Sequence, residues 1–160
     1  MAYRTRRKCQ KLTSFIVCKP DLSVRFIDTF KGYGLFANTF IRKGTHIGNY
    51  EGELISEKEG NRRLNKNEEN KGSGSYLFFF KEKGKTLCID ATQSDCKARY
   101  INDDHRSPNS KVVAEKDATL AIYTIKDIPP DTEITFNYGD PSVYWRKIQL
   151  NICHQLRDLL

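Results

Sequence analysis

What most constrains this chain is how short its apolar runs are, and how regularly turn residues interrupt them. "LSVRFID" (22–28) alternates apolar and polar side chains, the period of a strand. "KGYG" (31–34) reads as a turn and "LFANTFI" (35–41) as extended chain. "RKGTHIGNYEGELIS" (42–56) reads as a turn and two short strands punctuated by glycines. After a flexible turn at "NKGSGS" (70–75), "YLFFF" (76–80) and "KTLCIDA" (85–91) make a hairpin around Gly84. "SKVVAE" and "ATLAIYTIKDI" are strands, Pro129-Pro130-Asp131 is a turn, and "TEITFNY" (132–138) is a last strand.

Helical signals are few. Glu57 to Asn70 is charged with Leu64 its only apolar residue, an exposed helix with Gly60 as a weak point. A short helix covers 94–101. Past Asp140, which can cap a helix with Pro141 at its first position, Trp145, Ile148, Ile152, Leu156 and Leu159 recur at steps of three and four. The expected fold class is mainly β with short helices, an α+β domain closed by a C-terminal helix. Three segments follow: a basic stretch at 1–21, a main domain at 22–140 and the helix at 141–160.

The 160 residues suffice for one domain with one core. No apolar run approaches the roughly 20 residues of a membrane span, and "MAYRTRRKCQK" lacks a signal-peptide core. The expectation is a soluble, intracellular, non-secreted protein. The five cysteines (9, 18, 88, 96, 153) show no CxxC spacing and the three histidines (46, 105, 154) are isolated, so they read as reduced thiols and no metal site is expected. Lys and Arg outnumber Asp and Glu by 27 to 20, which favours an anionic partner such as nucleic acid or chromatin. Arg4, Arg6, Arg7, Lys8 and Lys11 read either as a solvated tail or as a DNA-backbone contact or nuclear signal.

Several residues invite chemistry but read more plainly one at a time. Gly32 and Gly34 flank Tyr33; this pair serves a tight turn or a close backbone approach to a ligand. Tyr50, Tyr76, Phe78, Phe80, Tyr100, Phe136, Tyr138 and Trp145 pack a core or line a channel around a cation. Asn102, before Asp103 and Asp104, reads alone as a turn or capping residue.

Their order says more. "KGYGLFANTFIRKG", "NYEGELIS", "YLFFF…LCIDAT", "ARYINDD…SPNSKVV" and "LAIYTIKDIPPDTEITFNYGD" together resemble a SET domain of the protein lysine methyltransferases, over roughly residues 22–147. "GELIS", "CIDAT" and "YGD" lean toward the small chromatin enzymes that methylate the histone H4 tail. The resemblance implies a pseudoknotted fold of small β-sheets in which the Asn102 and Tyr138 segments meet. It implies S-adenosylmethionine as methyl donor, with contacts from Lys31, Gly32, Tyr33, Tyr76, Asn102 and Asp103 and an adenine cover from Trp145. Tyr138 matches the catalytic tyrosine; Tyr50 and Phe136 match the walls of a lysine channel. The implied partner is a histone tail or another basic protein, met by a nuclear monomer with a nucleosomal DNA contact through the basic N-terminus; the other location is cytoplasmic.

The chain departs from the family pattern in three places. Asn102-Asp103-Asp104 stands where Asn-His-Ser is usual. Asn102 to Asn109 is one residue longer than usual. The cysteine cluster that often follows the domain is missing, with Cys153 alone in that region. The first two departures keep a second reading open, a SET-like binding module weakened in catalysis. A third reading, a basic nucleic-acid binder, is disfavoured because "YLFFF" interleaves no basic residue with its aromatics.

Overall fold

The computed structural model describes residues 19–69 and 76–139. The basic N-terminal cluster, Cys9, Cys18, the 70–75 turn, and the C-terminal helix with Trp145, Cys153 and His154 lie outside the described residues.

Short strands dominate. β1 (Leu22–Asp28) and β2 (Gly32–Ala37) form an antiparallel pair with Phe26 opposite Tyr33. β3 (His46–Asn49) and β4 (Glu53–Ser56) follow, then the helix α1 (Glu57–Glu69). β5 (Leu77–Glu82) and β6 (Lys85–Asp90) make the hairpin expected around Gly84, and β4 pairs with the far side of β6. A 3-10 turn at Lys97–Tyr100 leads into β7 (Asn102–Asp103). β8 (Ser110–Ala114), β9 (Leu120–Thr124) and β10 (Thr135–Phe136) complete the described chain, with β9 between β3 and β8.

Two sequence expectations shift. Gly32–Gly34 already belongs to β2, because the turn is made earlier: the Asp28 carboxylate accepts from the N–H groups of Phe30 and Lys31 (2.8 and 2.6 Å). The strand expected over 132–138 contracts to Thr135–Phe136, because its partner β7 is itself two residues long.

Gly60 takes on a role that helix propensity alone hides. It is buried where α1 lies against the sheet. A Cβ there would sit 2.8 Å from the Phe79 ring and 3.0 Å from the Cβ of Cys88. The missing side chain lets a polar helix approach the β5–β6 hairpin closely. Ser56 caps α1 by accepting from the Glu59 N–H at 3.3 Å, and Glu57 and Glu59 suit the positive end of its dipole. Arg63 ties the helix to the sheet through Glu59 of α1, Glu53 of β4 and Asp90 of β6. The Asp90 side chain is only 9% exposed, so that contact is the best shielded of the set, whereas exposed pairs bring ~0–1 kcal/mol each.

Leu35, Ile101, Leu120, Ile122, Ile128, Ile134 and Phe136 are buried in one continuous core under these sheets. Cys88 is buried as well, and its burial, then the charge of Asp90, pushes its thiol up to about 11 and keeps it protonated at neutral pH.

β7 and β10 are parallel. The later segment is held by both ends of the 102–110 loop. At one end Asp104 N–H donates to Phe136 O at 3.0 Å. At the other, Asn109 exchanges bonds with Thr135, and the Ser110 hydroxyl donates to Thr135 O at 2.8 Å. A late strand clasped by an earlier loop is rare in proteins, and is what the family resemblance implied.

Candidate active site

The clasp assembles the site. Asn102, at the start of β7, uses its side-chain N–H groups twice: Nδ2 donates to Tyr33 O at 3.1 Å and to Glu133 Oε1 at 2.8 Å. The other Glu133 oxygen accepts from Lys31 Nζ at 3.3 Å. Lys31 and Asn102 thus meet on one carboxylate, and Asn102 also holds the Tyr33 backbone. Gly34 permits this, since a Cβ there would press on the Ile27 side chain at 2.6 Å and on Glu133 and Asn102 at 3.0 and 3.2 Å. Nothing local in "TEITFNY" marks Glu133, since its partners, Lys31 in the turn before β2 and Asn102 on β7, are distant in the chain.

The two acids after Asn102 have separate tasks. Asp103 Oδ1 accepts from the Tyr138 N–H at 2.9 Å. Asp104 Oδ1 accepts from the N–H groups of Arg106 and Ser107 at 3.0 and 2.9 Å. That tight turn puts residues 105–107 on the exposed surface. Asn102 and Asn109 keep their pairings on either side.

Aromatic rings run in a row from Tyr50 to Tyr138. Tyr50 lies 5.4 Å from Phe78, Phe78 lies 5.8 Å from Phe136, and Phe136 lies 4.9 Å from Tyr138, centroid to centroid. Phe78 enters because β5 points it into the space between the expected channel walls. Tyr50 donates its hydroxyl to Tyr76 O at 2.9 Å, and Tyr138 donates to Ile101 O at 2.7 Å. Burial pushes the ionisation of both phenols well up; Asp103 and Glu133 add to this at Tyr138, and Tyr138 adds to it at Tyr50. Both therefore stay neutral hydroxyls at physiological pH, suited to orientation rather than to taking protons.

A second aromatic group borders the first. Tyr33, 54% exposed, packs edge-on to Tyr100 at 6.1 Å, and Tyr100 packs the same way on Tyr76 at 6.0 Å. The Arg99 guanidinium lies over both the Tyr76 and Tyr100 rings, 4.7 and 4.8 Å from their centroids. Its Nη1 donates to the carbonyls of Ala91, Thr92 and Ser94, fixing the turn after "CIDAT". Of the expected site residues, Lys31, Gly32, Tyr33, Tyr50, Tyr76, Asn102, Asp103, Phe136 and Tyr138 gather in this region, while Trp145 lies outside the described residues.

A protein-family model described as the SET domain matches residues 32–139, most of the chain. The chain belongs to the SET-domain family. This SET domain is 32% identical over 127 residues to the N-lysine methyltransferase KMT5A-A of Danio rerio, covering 76% of the chain and 36% of that protein. It is 33% identical over 115 residues to the histone-lysine N-methyltransferase Set8 of Drosophila melanogaster, covering 70% of the chain and 17% of that protein. The crystal structure of CpSET8 from Cryptosporidium superposes on it with a TM-score of 0.61 at 31% identity, covering 76% of the chain and 59% of that chain. The chain spans about a third of the Danio relative and about a sixth of the Drosophila one.

The donor set suits S-adenosylmethionine, a zwitterionic ligand with a sulfonium. Among the described residues the Asn102 Oδ1 takes no donor, which leaves it to accept from an ammonium. Lys31, whose ammonium keeps N–H groups beyond its 3.3 Å contact with Glu133, can also meet a ligand carboxylate, and the half-exposed Tyr33 and Tyr100 rings offer apolar faces to an adenine. Among the described residues no group of three or more His, Cys, Asp or Glu is arranged to hold a metal ion.

Proposed function

We propose that this SET domain transfers a methyl group from S-adenosylmethionine to a lysine side chain, in a histone tail. The observation that carries the reading is the Tyr50–Phe78–Phe136–Tyr138 row ending beside Asn102. Such a row of neutral rings, next to a cofactor-type donor set, suits the wall of a channel for a cationic side chain. The relatives' names as lysine methyltransferases support it.

The reaction makes simple demands on the chain. The donor supplies a transferable methyl on sulfonium sulfur. The nucleophile must be a neutral amine, although free lysine has a pKa near 10.4. Aromatic walls disfavour the ammonium by withholding hydration, so its proton is best released to solvent before the channel closes. Tyr138, anchored through both its N–H and its hydroxyl, aligns the amine with the methyl group. Lys31, Tyr33, Tyr76 and Asn102 bind the donor, with Trp145 as its cover, and Tyr50 and Phe136 shape the channel.

The binding-module reading rests on Asp103 and Asp104 and on the added loop residue. Both acids accept backbone hydrogen bonds that build the loop and hold Tyr138, so they favour an organised site. The wider reading is a nuclear monomer whose basic N-terminal residues meet nucleosomal DNA. Among the described residues no helix is long and apolar enough to cross a membrane.

The test is transfer of labelled methyl from S-adenosylmethionine to core histones, free and in nucleosomes. Label on a histone lysine is the expected result. Donor binding without transfer to histones or to other basic proteins would leave a binding module, and label on non-histone protein alone would move the substrate away from chromatin.

A further inference from the structure

Tyr138 stands just beyond the end of its strand. β10 stops at Phe136, so the β7–β10 ladder offers no partner to the Tyr138 N–H. The acceptor is a side chain instead, Oδ1 of Asp103 at 2.9 Å, 35 residues earlier in the chain. The same earlier segment accepts from the Tyr138 hydroxyl through Ile101 O at 2.7 Å. The tyrosine is therefore pinned at its backbone and at the tip of its ring by residues either side of Asn102.

We propose that Asp103 is a positioning residue for Tyr138, acting through the Tyr138 N–H, and not a contact to the methyl donor. This deepens the proposed function and rests on the reading of Tyr138 as the group that aligns the amine. The position is one where the resemblance leads one to expect histidine, and the acid has a distinct physical consequence. An ionised carboxylate makes a stronger, shorter bond to a backbone N–H than a neutral acceptor does. Besides Asp103 and Ile101 O, the backbone around Tyr138 is shaped by a local turn in which Asn137 accepts from Gly139 N–H. Releasing the Tyr138 N–H frees that turn to shift, and a displacement of about 1 Å at an aligning group can cost about a hundredfold in rate.

The experiment compares Asp103→Ala, which removes the acceptor, with Asp103→Asn, which keeps Oδ1. Hydrogen exchange at the Tyr138 amide, donor affinity by calorimetry, and kcat on histone substrate are read for each. Expected for Asp103→Ala are Tyr138 exchange faster by about tenfold or more, kcat lower by about 10- to 100-fold, and a donor Kd within about threefold of the parent. Asp103→Asn should recover kcat to within about threefold. On the unaltered chain, a scalar coupling across the hydrogen bond between the Tyr138 amide nitrogen and the Asp103 carboxyl carbon reads the contact directly, so the test survives if Asp103→Ala fails to fold. An absent coupling, unchanged Tyr138 exchange in Asp103→Ala, or equal loss of donor affinity in both variants with kcat preserved would each overturn the proposal. If the unaltered protein transfers no methyl, the proposed function falls, while the exchange and coupling at Tyr138 still decide what Asp103 holds.

Discussion

The hydroxyl of Tyr138 lies 2.7 Å from the carbonyl oxygen of Ile101, residues 37 apart in the chain. That bond orients the ring and uses the phenol proton, so the oxygen lone pairs are what Tyr138 would offer an amine on the proposed reading. Tyr138→Phe keeps the ring and loses the oxygen. Turnover should fall at least about a hundredfold while donor binding stays nearly intact, measured by methyl transfer and calorimetry. The stranded Ile101 carbonyl should also lower stability by about 1–2 kcal/mol in chemical denaturation.

Asn102 lies on the other side of the same segment. Asn102→Ala removes donors to Tyr33 O and Glu133 as well as the oxygen available to an ammonium. S-adenosylmethionine binding should weaken by about 1–3 kcal/mol. Asp103→His should bind the donor at least as well as the parent, because the Asp103 side chain is turned to Tyr138. Normal donor binding by Asn102→Ala in calorimetry would move the cofactor loop elsewhere.

Gly60→Ala separates packing from propensity. In an exposed helix the change gains about 1 kcal/mol. Here the added methyl meets Phe79 at 2.8 Å and Cys88 at 3.0 Å. Overpacking should reverse the sign, with a net loss of about 1–3 kcal/mol in equilibrium denaturation. A stabilised variant would show that α1 moves freely on its sheet.

The α1 contacts give an acid dependence. Hydrogen bonds from Arg62, then Arg63, bring the Glu59 carboxyl from 4.5 to about 2. A carboxyl lowered by folding stabilises above its unfolded value and loses that contribution as pH falls through its folded one. Stability should therefore hold above about pH 5 and decline between 4.5 and 2. Arg62→Gln and Arg63→Gln together should flatten that decline in pH-dependent unfolding.

Phe136, buried to 2% exposure between Phe78 and Tyr138, bears on the product. A tyrosine hydroxyl there would hold a water in the space a second methyl needs. With Phe136 on the proposed channel wall, the lack of that hydroxyl would let a methylated amine turn and react again, and the expected product is dimethyl- or trimethyl-lysine. Phe136→Tyr should confine the product to monomethyl and keep first-methyl rates within about tenfold, since one hydrogen-bonded water is worth ~1–2 kcal/mol. Mass spectrometry of a histone peptide after long incubation reads the outcome; parent protein that stalls at one methyl would refute it.

Local elements were legible where local signals exist. Alternation marked β1, Gly84 marked the β5–β6 turn, and the charged run marked α1. The family was legible through the order of its motifs, which the resemblance supplied. What stayed hidden depends on partners distant in sequence. Glu133 and Asp103 gain their meaning only from the parallel pairing of β7 with β10, and a two-residue parallel strand leaves no periodicity. Gly60 reads as a weak helix position until Phe79, from another strand, is laid against it. Arg99 reads as one more base until its ring partners and carbonyls converge on it.

The clasp around β10 also fixes when a working site can exist. A ribosome delivers the Asn102 loop before Tyr138, so the nascent chain carries that loop before the strand it must close around has been made. Asn109 and Ser110 must wait for Thr135 before their side chains find the partners seen here. New termini cut at the Lys83–Gly84 turn would preserve that order of arrival. New termini cut between β9 and β10 would reverse it, sending the strand out ahead of the loop that must close around it, with an identical set of final contacts and a different route to them.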